Sequence, residues 1–230
     1  MTLLHDRLAD LPPCDTATHQ AVVERAAQIL RPGGALAWLD ATAAWVAGWQ
    51  RTDRPAIERP AGIIFAADHG VAAAGVSAYP PEVTAGMLAA FEAGQATINA
   101  FARAAGAKLR AVDVGVGRPT GDIRVEAAMT PKRFDAVVQQ AFEAIDALDC
   151  DLLVLGEMGI GNTTPSAAIA ASLAGGEAAS WVGRGTGVDD EGLRRKADAV
   201  EAAQRRIAGI TDPIEVLREV GGAELAAIAA

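Results

Sequence analysis

Short apolar runs that end in glycine-rich or charged segments are the feature that most constrains how this chain folds. There are four such runs, at Gly62–Ala67, Leu109–Val114, Leu152–Leu155 and Ala179–Val182. None alternates strictly between apolar and polar residues, which is typical of parallel strands buried on both faces. Helical segments separate them, so the pattern predicts an α/β fold with a doubly wound, mostly parallel sheet.

The starts of several helices can be read from capping residues. A Thr or Asp side chain accepts hydrogen bonds from the first free amides of a helix, and proline fits its first turn. Helix starts are therefore predicted at Thr130-Pro131, Thr164-Pro165, Asp189–Glu191 and Asp212-Pro213. Gly175 is predicted to end the second of these helices, Ser166–Ala174, and Gly221 the fourth.

The first sixty residues are predicted to be helical, with helices over Ala17–Leu30 and Ala35–Trp49. Trp38, Trp45 and Trp49 share one face of the second helix, because their spacing follows the helical period. We expect that face to pack against another helix or against a second subunit.

The helical pattern of the first sixty residues and the alternation of strands and helices after them divide the chain into three segments. We expect a small N-terminal helical domain over residues 1–60, an α/β domain over 61–215 and an unfinished C-terminal segment over 216–230. The last segment ends in an apolar helix, Ala223–Ala230, that has neither a capping residue nor a polar face. The sequence is therefore expected to be a fragment of a longer chain.

The acidic composition excludes several classes of protein. There are 20 Lys and Arg against 29 Asp and Glu, a formal net charge of −9, so non-specific binding to nucleic acid is not expected. Two cysteines, Cys14 and Cys150, are too few for a disulfide framework or a zinc site. Met1–Asp10 lacks the apolar core of a signal peptide, and no apolar run is long enough to cross a membrane. A soluble, cytoplasmic protein without a bound metal or cofactor is expected.

Ligands of an open α/β sheet bind beyond the carboxyl ends of its strands. The segments that follow the apolar runs are Asp68-His69-Gly70, Gly115-Val116-Gly117, Gly156–Thr164 and Gly183–Gly187. Together they indicate a ligand site at this edge of the sheet. Asp68, His69 and Asp113 are expected to shape the strand ends by hydrogen bonding rather than to bind a metal.

The segment Gly156–Thr164 (GEMGIGNTT) is the most informative of the segments that follow the apolar runs. Glycines allow the backbone to approach a ligand, and the free amides of the following helix favour an anion such as phosphate. The segment lacks the Gly-Lys-Ser/Thr of a P-loop and the spacing of a dinucleotide fingerprint, which disfavours a nicotinamide-dinucleotide dehydrogenase. An ordinary tight turn is the alternative. Glu157 argues against that, since a carboxylate beside an anion must act on another part of the ligand.

A bound phosphate also requires a cation. Lys196 and Arg184 are both candidates, and the alternative for each is a solvated basic surface. Met87 and Phe91 lie one helical turn apart, which is typical of core residues but also fits the wall of an apolar pocket for an aromatic ring.

Blocks of the sequence resemble those of one enzyme family. They are Ala66–Ala85, Leu155–Thr164 and Val182–Lys196, with a diverged block at Arg31–Asp40. In content and order they are similar to those of nicotinate-nucleotide–dimethylbenzimidazole phosphoribosyltransferases. The resemblance spans Ala17–Ala230 and implies a Rossmann-like large domain, a small domain built from both chain ends, and a homodimer.

The resemblance also implies a reaction. Members transfer the 5-phosphoribosyl group of nicotinate mononucleotide to 5,6-dimethylbenzimidazole or a related base, which yields α-ribazole 5′-phosphate and nicotinate for cobalamin assembly. The phosphoribosyl group would lie on Gly159, Ile160, Gly161, Asn162, Thr163, Gly185 and Lys196. The base would lie near Tyr79, Pro80 and Met87.

One departure from the family affects the expected activity. The family's general base is a glutamate in a Gly-Glu-Gly-Thr-Gly block near the C-terminus. The one similar string here, Gly183–Gly187, is a different block with Arg184 in place of the glutamate, and the stretch that carries the base in the family would follow Ala230. Glu157 matches the family only as a supporting carboxylate. We expect the phosphate site to be retained and the activity of this chain alone to be weak or absent. The alternative function is that of a non-catalytic nucleotide-binding paralogue.

Overall fold

A computed structural model describes residues 3–230, which form two compact units. The smaller unit covers residues 7–58, and the larger unit covers residues 3–6 together with 59–230. The first helix, α1 (Leu3–Ala9), contributes the buried Leu4 to the core of the larger unit.

The larger unit is built on a parallel sheet of three strands in the order β2-β1-β3. They are β1 (Pro60–Ala67), β2 (Lys108–Gly115) and β3 (Leu152–Met158), so the first three predicted strands are confirmed. The central strand β1 is buried over nearly its whole length. The expected burial on both faces is wrong for β2 and β3, which lie at the two edges of the sheet; Val154 and Leu155 of β3, for example, are 54% and 46% exposed. A bulge between Ala66 and Ala67 interrupts the regular pairing of β1 with β2 just before the chain leaves the sheet.

The prediction of a fourth strand at Ala179–Val182 is wrong. Ala178–Ser180 form a single turn of 3₁₀ helix, and Trp181 follows with 40% of its surface exposed. The indole N–H of Trp181 donates to the carbonyl oxygen of Gly175 at 2.9 Å. Ala178, just before the run, and Val182, at its end, pack against the helices of the second core described below, whereas the residues between them are exposed.

Helices cover both faces of the sheet. The helices that follow β1 are α4 (Val83–Glu92), α5 (Thr97–Ala104), α6 (Pro131–Asp146), α7 (Thr163–Ala174), α8 (Asp190–Arg206), α9 (Pro213–Val220) and α10 (Ala223–Ala229). α6 and α10 pack on the face that carries Ile63 and Phe65 of β1. α4 and α5 lie against the other face, where α5 flanks Ile64. This arrangement is the doubly wound fold that the sequence predicts.

Three predicted helix starts are confirmed by their caps. The side chains of Thr130, Asp189 and Asp212 accept hydrogen bonds from backbone amides in the first turns of α6, α8 and α9. Each bond satisfies an amide that has no partner within its own helix.

The predicted start of α7 is wrong by about one turn of helix. It begins at Thr163 with Asn162 as its N-cap residue, rather than at Ser166. The glycine turn itself bends the chain into the helix, because the carbonyl of Gly161 already accepts a hydrogen bond from the Thr164 amide at 3.0 Å. The helix therefore starts directly at the predicted ligand site.

A second core joins α7, α8 and α9. It contains Ala168 of α7, Val200 and Ala203 of α8 and Val216 of α9, all of them fully buried. Lys196 lies one helical turn before Val200 on α8, so the apolar packing of this helix fixes the position of the lysine.

The smaller unit contains α2 (Thr16–Gln28) and α3 (Ala37–Gln50), which pack against each other. Val22 of α2 and Ala44 and Ala47 of α3 form its buried core. Both predicted helices of this region are confirmed, and each end differs from its predicted position by one or two residues.

Within the smaller unit, the tryptophan face of α3 is not the face that packs against α2, which corrects one of the two expectations for it. Trp38, Trp45 and Trp49 are 77%, 55% and 50% exposed. The contact with α2 is made instead by Ala44 and Ala47, since small side chains allow two helices to approach closely. Packing of this face against a second subunit stays a prediction.

Candidate active site

A cavity of about 250 Å³ lies where β3 ends, α7 begins and α8 passes. The chain leads from β1 to β2 on one side of the sheet and then to β3 on the other side. The carboxyl ends of β1 and β3 therefore form the switch point at which ligands of α/β sheets bind.

The lining of this cavity brings together the residues predicted for the phosphoribosyl group and the supporting carboxylate. They are Glu157, Gly159, Ile160, Gly161, Asn162, Thr163, Gly185 and Lys196. Sequence reasoning missed Val76, Ser77, Met158 and Thr186, which also line it. The hydroxyl oxygens of Ser77 and Thr186 are 3.4 Å apart. Both residues lie within the blocks of family resemblance, which was the available signal for them.

The glycine turn before α7 supplies backbone donors to the cavity. Gly161 has a φ of 90°, a conformation that glycine adopts without the clash of a Cβ. Within residues 3–230 we find no protein acceptor for the amides of Gly161 and Thr163. They lie at the N-terminal end of α7, where the helix dipole favours an anion.

Two other amides of the same turn are already bonded within the protein. The amide of Ile160 donates to the buried hydroxyl oxygen of Thr84 at 3.1 Å. The amide of Asn162 donates to the carbonyl of Gly159 at 3.2 Å. Ile160 and Asn162 therefore shape the turn, and Gly161 and Thr163 are the better candidates to bind an anion through their amides.

Lys196 is the buried cation of the cavity. Lys196 is only 2% exposed, and this burial lowers the pKa of its ammonium group. The Nζ atom donates to the hydroxyl oxygen of Thr163 at 2.9 Å and to the carbonyl of Gly183 at 2.8 Å. No carboxylate of the described chain forms an ion pair with it. Since an ammonium group has three donors, one N–H and the whole positive charge remain for an anion.

Gly185 is required for two physical reasons. Its φ of 54° lies in the left-handed region, which a side chain disfavours. A Cβ at this position would also lie 3.2 Å from Nζ of Lys196. A larger residue would therefore crowd the ammonium group and the space in front of it.

Glu157 is the carboxylate of the cavity. Asn162 donates a hydrogen bond to it through its side-chain amide. Desolvation raises the pKa of Glu157, the charge of Glu224 raises it further, and the hydrogen bond from Asn162 and the charge of His69 lower it. The residue lines the cavity and remains exposed there, so the desolvation of its carboxyl group is only partial. Its proton affinity is therefore higher than that of an ordinary glutamate.

Comparison with known proteins identifies the family. The family model described as phosphoribosyltransferase matches residues 11–230. A relative from Mesorhizobium japonicum, named nicotinate-nucleotide–dimethylbenzimidazole phosphoribosyltransferase, is 49% identical over 220 residues. This chain belongs to the nicotinate-nucleotide–dimethylbenzimidazole phosphoribosyltransferase family. A family member of the same name from Ruegeria pomeroyi is 49% identical over 224 residues.

The chain spans about two thirds of the length of the relatives that it matches. The match with the Mesorhizobium japonicum protein covers 95% of this chain but 65% of the relative, and that with the Ruegeria pomeroyi protein covers 97% and 66%. The crystal structure of CobT from Thermus thermophilus superposes with a TM-score of 0.85 and 41% identity, over 92% of this chain and 69% of that chain. The phosphoribosyltransferase fold is therefore shared over nearly all of the residues present here.

Arg184, the other candidate cation of this family member, binds its own loop. Its guanidinium donates to Asp190 at 2.5 Å and to the carbonyl of Val188 at 3.0 Å. It does not line the cavity around Gly161. Lys196 is thus the better of the two candidates for binding phosphate.

The interpretation of Asp68 and Asp113 as residues that shape the strand ends is confirmed. Asp68 accepts a hydrogen bond from the Gly117 amide at 2.7 Å. Asp113 accepts hydrogen bonds from the amides of Gly115 and Val116 at 2.8 and 2.7 Å. The bond from Gly117 to Asp68 joins the ends of β1 and β2, and the bonds to Asp113 hold the end of β2. The same expectation for His69 is wrong, since its ring has no such bond to a described residue and lies 3.1 Å from Glu224.

The residues predicted for the base pocket lie near the start of α4. Tyr79 is 53% exposed, Pro80 is exposed as well, and Met87 is half-buried on α4. A second cavity, of about 510 Å³, is lined by Pro81 and Ala85 of this region and by the ends of β1 and β2. The role of Tyr79, Pro80 and Met87 stays a prediction.

Residues 3–230 contain neither a cluster of metal-ligating side chains nor a helix that could cross a membrane. No group of three or more His, Cys, Asp or Glu side chains there could hold a metal ion. Among the described helices, none combines the length and the apolar character that crossing a bilayer requires.

Proposed function

We propose that this protein transfers the 5-phosphoribosyl group of nicotinate mononucleotide to 5,6-dimethylbenzimidazole or a related base. The products would be α-ribazole 5′-phosphate and nicotinate. The observation that carries the proposal is the cavity in which the unpaired, buried Lys196, two free backbone amides and Glu157 meet. The 49% identity to a relative named for this reaction supplies the substrates.

The phosphate of the nucleotide would bind at the N-terminal end of α7. Lys196 would supply the counter-charge, and the amides of Gly161 and Thr163 would donate hydrogen bonds. Hydrogen bonds between an anion and charged or oriented donors are stronger than those between neutral groups, especially where water is excluded. The ribose would then extend toward Glu157, which lies in the same cavity.

The transfer breaks the bond between C1′ and the nicotinate nitrogen and forms a bond from C1′ to a nitrogen of the base. Positive charge develops on the ribose as the first bond breaks, and a nearby carboxylate stabilises it. Holding both reactants in one orientation lowers the barrier further. With its raised pKa, Glu157 is also suited to take up the proton that the attacking base loses.

The incoming base and a second subunit complete the proposal. The base would contact Tyr79, Pro80 and Met87 at the turn into α4.

We also propose a homodimer, with the exposed Trp38, Trp45 and Trp49 as the apolar face available for contact. Light scattering during size-exclusion chromatography would measure the dimer, and a monomer at all concentrations would contradict it.

Calorimetric titration with nicotinate mononucleotide tests the site. We expect Lys196→Ala to weaken binding by roughly 10- to 100-fold, which corresponds to loss of a charge-assisted hydrogen bond. Gly161→Val should weaken it as well, because valine strains the turn at this φ. Lys132→Ala, an exposed lysine on α6, is the matched control and should bind as the unchanged chain does. Equal affinity for the Lys196 and Lys132 variants would refute the phosphate assignment.

Product analysis separates catalysis from binding. After addition of 5,6-dimethylbenzimidazole, chromatography measures the release of nicotinate. Release that depends on the base supports the transferase. Robust release by the 230-residue chain would contradict the expectation that its activity alone is weak or absent.

A further inference from the structure

A buried pair of titratable side chains lies beside the cavity and has no role in the chemistry described above. His69 follows β1, and Glu224 lies in the first turn of α10. The atoms His69 Nε2 and Glu224 Oε1 are 3.1 Å apart, and both side chains are 0% exposed. The two residues are far apart in sequence, so only the packing of α10 against the strands brings them together.

Stability alone is a weak reason for such a pair. The cost of desolvating two polar side chains offsets much of their attraction, and apolar replacements of buried ion pairs are often neutral or stabilising. Within residues 3–230, neither the ring nitrogens of His69 nor the carboxylate oxygens of Glu224 have a well-formed hydrogen bond to any group. Their 3.1 Å contact with each other is the ion pair that the structure gives these two side chains.

Two glycines close tightly around the pair. A Cβ on Gly159 would lie 2.6 Å from Nε2 of His69. A Cβ on Gly222 would lie 2.5 Å from Cε1 of His69 and would also clash with a carboxylate oxygen of Glu224. Gly159 is the first residue of the turn that lines the cavity, so the pair packs directly against the backbone of the site.

Glu157 is the cavity carboxylate that responds to the charge of this pair. After desolvation, the charge of Glu224 is the largest influence that raises the pKa of Glu157, and the charge of His69 opposes it. Asn162 donates to the same carboxyl group, and Lys196 is the other charged group that lines the cavity. The ionisation of Glu157 therefore depends on Asn162 at the start of α7, on His69 after β1 and on Glu224 of α10.

We propose that His69 and Glu224 are positioning residues for the phosphoribosyl transfer, an inference that rests on the function proposed above. They hold the Gly159 turn in place, and the net charge of the pair governs the charge on Glu157. A Glu224 carboxylate beside a neutral imidazole carries one negative charge, whereas beside an imidazolium the pair is neutral. The negative state favours a proton on Glu157, namely the proton that the base loses from one ring nitrogen when its other ring nitrogen bonds to C1′.

A carboxyl titration tests this without any turnover. The chain is labelled with ¹³C at the glutamate carboxyl groups, and the signal of Glu157 is assigned by its loss in Glu157→Gln. We expect Glu224→Gln to lower the titration midpoint of Glu157, on the order of one pH unit. Glu143→Gln, an exposed glutamate on α6, is the matched control and should leave the midpoint unchanged. An unchanged midpoint in a folded Glu224→Gln chain would overturn the proposal.

His69→Asn provides a second measurement if Glu224→Gln does not fold. The charge of His69 lowers the pKa of Glu157, so its loss should raise the titration midpoint of Glu157. An unchanged midpoint in a folded His69→Asn chain would overturn the proposal as well.

The kinetic consequence distinguishes this inference from the proposed function. Where turnover is measured, Glu224→Gln should shift the acid limb of the kcat profile to lower pH, and a merely structural role would lower activity equally at every pH. Failure of the chain to bind nicotinate mononucleotide would contradict the proposed function, yet the midpoint of Glu157 would still respond to Glu224. The two failures are therefore separable.

Discussion

The ammonium group of Lys196 donates a hydrogen bond to the side-chain oxygen of Thr163, the first residue of α7, at 2.9 Å. This bond places a buried positive charge beside the positive end of a helix dipole. Two like charges in a desolvated place are unfavourable until an anion lies between them. The ligand-free protein is therefore organised for a phosphate group at a cost to its own stability.

The cost of burying Lys196 should appear in the pH dependence of stability. Because the pKa of Lys196 is lowered from its usual 10.5 in the folded chain, the unfolded chain holds this proton to higher pH. Stability therefore rises with pH below that value. Relative to Lys196→Met, the unchanged chain should gain stability between pH 7 and pH 10. Urea unfolding at both pH values measures this, and a constant difference would contradict it.

The raised pKa of Glu157 gives the opposite slope. The folded chain holds the proton of Glu157 to higher pH than the unfolded chain, in which the usual value is 4.5. This contribution is complete below that value and is lost as the pH rises through the pKa of the folded state. Relative to Glu157→Gln, the unchanged chain should therefore lose stability as the pH rises from 4. Thermal unfolding over this range measures the difference, and parallel curves would refute the shift.

A side chain at position 185 should lower the stability of the folded protein. Gly185→Ala forces alanine into the left-handed region and brings its Cβ toward the ammonium group of Lys196, so a loss of about 1 kcal/mol is expected. Binding of nicotinate mononucleotide should weaken as well. Gly183→Ala is the matched control, since nothing lies within 4 Å of a Cβ there and its φ is not in the left-handed region. Equal stability of the two variants would show that the backbone of this loop is not strained.

Thr84 should stabilise the glycine turn through its hydroxyl group. Thr84→Val keeps the shape of the side chain but removes the acceptor for the Ile160 amide, which leaves a buried donor unpaired. Such a loss costs about 1–3 kcal/mol. Thr84→Ser retains the hydroxyl group and should be closer to the unchanged chain. Calorimetric unfolding compares them, and a valine variant as stable as the serine variant would count against this bond.

Several features of this protein are encoded locally. β1, β2 and β3 were predictable because short apolar runs between helical segments are typical of parallel strands, although only β1 is buried over nearly its whole length. The starts of α6, α8 and α9 were predictable because a capping side chain bonds an amide only two or three residues away. The cavity lining around Gly161 and Lys196 was predictable from family blocks of the sequence and from the switch-point rule.

Other features were decided only by the tertiary structure. The run Ala179–Val182 has the composition of a strand, yet the packing of Ala178 among helices makes it a turn. Which amides of the glycine turn stay free depends on Thr84, which reaches Ile160 from a distant helix. The pairing of His69 with Glu224 likewise arises when α10 packs against the sheet. A local pattern carries no record of such partners, because their contacts and their desolvation exist only once the chain has folded.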